Sequence, residues 1–216
     1  MNVDKKQQLL EEKNMATKLL IAYYSSTGTG TQMVTWAKEA AEANGVEVRL
    51  RKVHELAPDV AIDSNPLWRK NVEATADVPE VTSDDLLWAD AYIFSSPSRF
   101  GVMASQLKQF FDLQGGLWAQ GKLANKFVTA FSSAQNPNGG QEQVIQGIYT
   151  VMQHWGAIIV PAGYVNPSTF AAGGNPYGTS ASIDGEGNML KADEVKAAIQ
   201  DQTKRLVDIT SKYLSE

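Results

Sequence analysis

The chain has 216 residues, 43% of them hydrophobic and 20% charged, which suits one globular domain with a substantial core and excludes wholesale disorder. It contains no cysteine and only two histidines, His54 and His154, which excludes disulfides, thiolate zinc sites, iron–sulfur clusters, cysteine nucleophiles and a three-histidine metal site within one chain. The net charge is −5 and the basic residues form no stripe, which argues against a nucleic-acid partner.

Residues 1–16 mix both charge signs around Leu9 and Leu10 and lack the apolar segment of a signal peptide; they are read as an N-terminal extension, a frayed helix or a disordered lead. Residues 17–216 are read as a single domain. No apolar run reaches the ~18–20 residues needed to span a bilayer, so a cytoplasmic protein with no membrane span is expected.

In chain order, Lys18–Tyr24 is a near-continuous apolar run, the mark of a strand buried on both faces. A turn at Ser25–Gly30 follows. Met33, Val34, Trp36, Ala37, Ala40 and Ala41 then space like one face of a helix ending near Asn44-Gly45. Val46, Val48 and Leu50 alternate as a second strand. Residues 53–82, with prolines at 58, 66 and 79, read as an irregular excursion, followed by a short helix at Ser83–Trp88 capped by Thr82 or Ser83. Asp90–Ser96 is a buried strand ended by Pro97, and residues 104–114 a helix. Lys126–Ser132 is the next strand, Gln141–Trp155 its helix, and Ala157–Pro161 the fifth strand. Residues 162–190 read as a long loop and residues 192–213 as a final amphipathic helix.

Five strands alternating with helices specify an α/β fold, a doubly wound five-stranded parallel sheet with helices on both faces. Ligands bind such sheets at the carboxyl ends of the strands. Three loops at that edge, 25–31, 97–103 and 133–140, are rich in Ser, Thr, Gly, Asn and Pro.

The first, Ser25-Ser26-Thr27-Gly28-Thr29-Gly30-Thr31, brings five hydroxyls and two glycines to a helix start, where free N–H groups and the helix dipole favour a phosphate. It lacks the Gly-Lys-Ser/Thr of a nucleotide P-loop, and Met33 stands where a dinucleotide fingerprint has its third glycine. No cation sits within the loop, so a phosphate monoester held by neutral donors fits best; a Ser/Thr-capped turn is the plain alternative. The second loop, Ser98-Arg99-Phe100-Gly101, pairs a planar cation with an aromatic ring and suits a flat heterocycle, or else a surface ion pair and ordinary packing. The third, Ser133-Ala134-Gln135-Asn136-Pro137-Asn138-Gly139-Gly140, offers amides and small residues, or is simply a turn cluster. Gly115-Gly116 at the end of a helix would leave Trp118 projecting, either as a wall for an aromatic substrate or as a core or interface residue. His154 reads by itself as a capping or core histidine. With no Gly-x-Ser-x-Gly and no His-Glu-x-x-His, an organic cofactor carrying its own chemistry is the economical source of reactivity.

Ser25–Gly30, Pro-Ser-Arg-Phe-Gly at 97–101, Gly-Gly-Leu-Trp at 115–118, Gly-Gly-Gln-Glu at 139–142, His154-Trp155-Gly156 and Gly-Asn-Pro-Tyr-Gly at 174–178 occur in order over roughly residues 18–213. In this set the chain resembles the NAD(P)H:quinone oxidoreductases of the WrbA type. The resemblance implies a flavodoxin-like fold, FMN as cofactor, NADH or NADPH as hydride donor, a quinone as acceptor and a homotetramer whose subunits jointly wall each site. It assigns Ser25, Ser26, Thr27, Gly28, Thr29 and Gly30 to the FMN phosphate, and Ser98, Arg99 and Phe100 to the ring system. Ser133, Ala134, Gln135, Asn136, Asn138, Gly139 and Gly140 complete the site, His154 reaches it from a neighbouring element or subunit, and Trp118 borders the substrate. Donor and quinone use one site in turn, both electrons passing through FMN. Thr27 stands where the family often has a tyrosine touching the nicotinamide, and the 133–140 loop is about one residue longer than the family's. Two other readings compete: a flavodoxin-type single-electron carrier, for which the excursions at 53–82 and 162–190 are superfluous, and a non-enzymatic regulatory or interaction protein.

Overall fold

The computed structural model describes residues 17–215, so the expected extension over 1–16 lies outside the described residues. In chain order the elements are β1 (Lys18–Tyr23), α1 (Thr29–Ala43), β2 (Glu47–Lys52), α2 (Asp59–Asp63), α3 (Pro66–Ala74), α4 (Ser83–Trp88), β3 (Ala91–Arg99), β4 (Val102–Met103), α5 (Ser105–Asp112), α6 (Gly115–Ala119), β5 (Phe127–Ala134), α7 (Gln141–Trp155), β6 (Ile158–Ile159), α8 (Pro167–Ala171), β7 (Ser180–Ser182) and α9 (Ala192–Ser215). The sheet runs β2-β1-β3-β5-β6 with every neighbour parallel, while β7 extends the far end of β5 and the short β4 folds back antiparallel on β3.

Alternation along β1 explains the two core layers. Leu20, Ala22 and the following Tyr24 face one side, where they pack with Leu107, Phe111, Ile148 and Trp155; Leu19, Ile21 and Tyr23 face the other, against Met33, Val34, Ala37, Ile199 and Leu206. The apolar run of β1 thus feeds both layers, as its lack of polar alternation requires. α4 is fixed by Thr82, whose capping box with Asp85 closes its first turn; the same buried Asp85 carboxylate accepts from Arg49 at 3.0 Å and from Arg51 at 3.2 Å on β2.

Four expectations are corrected. Pro97 does not end β3: it pairs with Ser133 on β5, and Ser98 and Arg99 continue against β4, because proline's φ suits extended backbone and only its missing N–H is lost at the end of the ladder. The excursion at 53–82 contains α2 and α3, the latter opened by Asn65, whose side chain accepts from the Leu67 N–H, with Pro66 at the first helical position. Gly115 and Gly116 open α6 instead of ending the preceding helix, which stops at Asp112. Residues 162–190 hold α8 and β7 and are tied down: Gln202 of α9 accepts from the Thr179 N–H and hydroxyl, both at 2.8 Å, and donates to Thr129 Oγ1 at 2.6 Å. Gly178 passes so close to β5 that an added Cβ would lie 2.1 Å from the Ala130 carbonyl oxygen. Among the described residues, no helix is long and apolar enough to cross a membrane.

Candidate functional site

The carboxyl ends of β1, β3 and β5 deliver the three polar loops to one cavity of about 590 Å³. Its lining includes Ser25, Ser26, Thr27, Thr29 and Gly30 of the first loop, Ser98, Arg99 and Phe100 of the second, and Ser133, Ala134, Gln135, Asn136 and Gly139 of the third. Gly28 is the N-cap of α1 just beside it, in a left-handed conformation with φ 100°, and no side chain caps that helix. The first-turn N–H groups therefore face the cavity with no acceptor within the helix. At Gly30 a Cβ would come within 3.1 Å of both Ser25 Cβ and the Tyr24 carbonyl oxygen, so a larger residue there would have to push the loop aside by a few tenths of an ångström.

The absence of a cation within the first loop is made good by the fold. Arg99, on the second loop, extends its guanidinium to Ser26 Oγ at 3.0 Å. Positive charge thus reaches the hydroxyl-rich loop from another strand.

The second and third loops are fastened to each other. Ser98 Oγ donates to the Gly139 carbonyl and accepts from the Gly101 N–H at 3.1 Å. Gly140, with φ 87°, lies so near that a Cβ would stand 2.6 Å from Gly101 Cα. Below them Ser96 accepts from the Ala104 N–H through its hydroxyl and from Ser132 Oγ through its carbonyl, both at 2.9 Å. Between these anchors Phe100 is held at φ 54° with its ring fully exposed at the rim. An aromatic residue in the left-handed region with no packing partner is strained.

Asn138 and Gly140 line an adjoining groove of about 1060 Å³ along α7 instead of the cavity itself. Trp118 and His154 line neither. They lie together, the Trp118 indole N–H donating to the His154 carbonyl at 2.8 Å, and His154 is in the last turn of α7. Gly139 at the cavity lies two residues before α7, so His154 sits about 20 Å along the helix from it.

Three lining residues were not legible as site residues: Asn65, Trp68 and Ile183. Behind them, buried Asn71 of α3 donates to the Ser25 carbonyl at 2.8 Å and accepts from Thr31 Oγ1 at 2.9 Å, clasping the first loop from outside. Beside it is Glu55. Burial alone would raise the pKa of its carboxyl, but the Ala57 N–H, the Gln106 amide, the Tyr24 hydroxyl and the Trp68 indole together hold it below the usual range. Burial and the Glu55 charge push the Tyr24 hydroxyl far up, so it stays a proton donor at any physiological pH. The signal for α3 was present in Asn65-Pro66, a helix-start pair, but nothing in the charged pattern of 63–73 says which face turns inward.

Known proteins resemble this chain over most of its length. The family profile described as NADPH-dependent FMN reductase matches residues 17–172. A protein of Deinococcus radiodurans named NAD(P)H dehydrogenase (quinone) is 51% identical over 197 residues, covering 91% of this chain and 97% of that one. A Brucella abortus protein of the same name is 35% identical over 199 residues, covering 90% and 98%. Among solved structures, a WrbA-like flavodoxin of Agrobacterium tumefaciens superposes with a TM-score of 0.61 at 18% identity, covering 91% of this chain and 99% of that one. Flavodoxin 2 of Bacillus cereus gives 0.58 at 16% identity, covering 89% and 99%. These likenesses establish the flavodoxin-like fold.

Proposed function

Since the chain belongs to the NADPH-dependent FMN reductase family, with relatives named NAD(P)H dehydrogenase (quinone), it is an FMN-dependent NAD(P)H:quinone oxidoreductase, and we propose that the 590 Å³ cavity seats its FMN. The observation that carries the seat is the uncapped start of α1 beneath a cradle of hydroxyls with Arg99 reaching in from the second loop. This donor set fits a phosphate dianion: backbone N–H groups, short hydroxyl arms and one planar cation converge where glycine leaves room for close approach. The amides of the third loop and the fastened Ser98–Gly101 turn fit the edge of a flat polar heterocycle.

The residues of the three loops would hold FMN, and the bound flavin would supply the two-electron redox chemistry that links NADH or NADPH to a quinone. The chain's own work is placement. The Ser25–Gly30 loop fixes the phosphate end, and the fastened second and third loops keep the opposite rim from shifting, so that a planar partner meets an already formed surface. The exposed Phe100 ring supplies an apolar face to a nicotinamide or quinone without demanding a specific hydrogen bond, which suits two dissimilar planar molecules using one site in turn. No side chain in the cavity is required as a nucleophile. We place Trp118 and His154 in the site of a second copy of the chain within a homotetramer, because both lie far from the cavity of their own chain. The joint reading is tested by purifying the protein, reconstituting it with FMN and following NADH or NADPH oxidation with benzoquinone; turnover dependent on all three components is expected, and a protein that retains no FMN overturns it.

A further inference from the structure

Glu55 lies between β2 and α2, outside the three loops and outside the cavity lining. Its carboxylate accepts from five donors: the Leu56 and Ala57 N–H groups at 2.9 and 3.0 Å, Tyr24 Oη at 3.0 Å, Trp68 Nε1 at 3.1 Å and Gln106 Nε2 at 2.7 Å. None is a lysine or arginine, so a half-buried negative charge is held by neutral groups alone. That arrangement saturates the lone pairs of the two oxygens. The three side-chain donors come from three walls of the site: Tyr24 immediately precedes the Ser25–Gly30 loop, Gln106 follows the 97–103 loop, and Trp68 of α3 lines the cavity.

We propose that Glu55 is a positioning residue of the FMN site: it fixes the Trp68 indole as the cavity's α3 wall and ties that wall to Tyr24 at the end of β1 and to Gln106 on α5, which flank the first two loops. The inference rests on the cavity being the FMN seat. A single carboxylate can do this because it accepts in several directions at once, whereas an amide of the same size has one acceptor oxygen and would turn an N–H₂ toward groups that are themselves donors. Glu55→Gln therefore preserves volume and removes the clamp. With its N–H unsatisfied, Trp68 no longer has one preferred orientation, and FMN must then order the wall as it binds.

The test is a double-mutant cycle on FMN affinity, read from quenching of flavin fluorescence as FMN is added to apoprotein. Glu55→Gln in the wild-type background is expected to weaken FMN about tenfold or more, and in a Trp68→Phe background about threefold or less, because the residue acts through that indole. Losses of equal size in the two backgrounds, or an unchanged affinity in Glu55→Gln, overturn the proposal. If Glu55→Gln apoprotein lacks native circular dichroism, the cycle is run with Gln106→Met, which removes one donor at similar volume. Coupling with Trp68→Phe again supports the clamp, and equal losses again overturn it. Failure of the wild-type apoprotein to bind FMN would instead strike the cofactor seat itself, so the two failures are distinguishable.

Discussion

At the scale of single residues, Thr29 and Phe100 separate binding from stability. Thr29 is the first residue of α1, where a carboxylate normally helps a helix by a few tenths of a kcal/mol to about 1 kcal/mol through the dipole. Thr29→Glu should thus leave the melting temperature of the apoprotein unchanged or slightly raised. The same carboxylate would stand beside the FMN phosphate, and like charges a few ångströms apart at an intermediate dielectric cost enough to weaken FMN roughly a hundredfold or more. Titration with FMN alongside a thermal melt checks both halves; wild-type affinity would move the phosphate elsewhere. Phe100 gives the complementary case. Its φ of 54° is costly for a residue with a Cβ, and its exposed ring returns nothing through packing in the isolated chain. Phe100→Gly relieves about 1–2 kcal/mol of left-handed strain and gives up about 1 kcal/mol to the freer unfolded chain. Stability should hold within a few degrees while KM for the quinone rises severalfold. A fall in melting temperature of ~10 °C would show that the ring is structural.

At the scale of elements, α3 matters more than its length suggests, because it closes the Ser25–Gly30 loop, the proposed phosphate seat, from behind. Asn71 satisfies the Ser25 carbonyl and the Thr31 hydroxyl with one side chain, and both partners belong to the loop that begins α1. Asn71→Leu keeps the volume but strands two polar groups, which should cost about 1–3 kcal/mol, or roughly 3–10 °C in Tm, and weaken FMN about tenfold. Melting curves and FMN titration together check this; full FMN affinity in a destabilised variant would reduce α3 to a structural prop. This element also marks the limit of what the sequence makes legible. The strands, the three loops and their convergence follow from apolar runs and from Ser, Gly and Asn clusters, which are local signals. The inward faces of α3 and of residues 178–183 depend on which polar groups of distant loops need partners. Asn71 and Gln202 look like surface residues until Ser25 and Thr179 are brought to them. Pro97 misleads for a related reason: its effect on a strand depends on whether its neighbour needs an N–H at that rung, and only the register decides it.

At the scale of the whole molecule, Trp118 and His154 present a problem that one chain does not solve. They touch each other about 20 Å along α7 from Gly139 at the cavity, and Trp118 is 54% exposed. A half-exposed tryptophan with its N–H already satisfied has an apolar face that gains by being covered. Nearby in the sequence, Tyr164 and Phe170 stack at 4.6 Å and are likewise exposed. If copies assemble so that this end of one chain meets the open rim around Phe100 of another, the pocket for the planar substrate is completed only in the oligomer. The Ser25–Gly30 loop, Arg99 and the Glu55 cluster all belong to a single chain and do not depend on it. Trp118→Ala should accordingly raise KM for benzoquinone severalfold and leave the FMN dissociation constant within about twofold, since truncating a buried interface aromatic typically costs about 1–2 kcal/mol or more. Diluting the wild-type protein below the dissociation constant of such an assembly should reproduce the same change, followed by sedimentation velocity and steady-state kinetics on matched samples. Equal losses of FMN affinity and quinone turnover in Trp118→Ala would contradict the division, as would full quinone turnover in a species that sediments as a monomer.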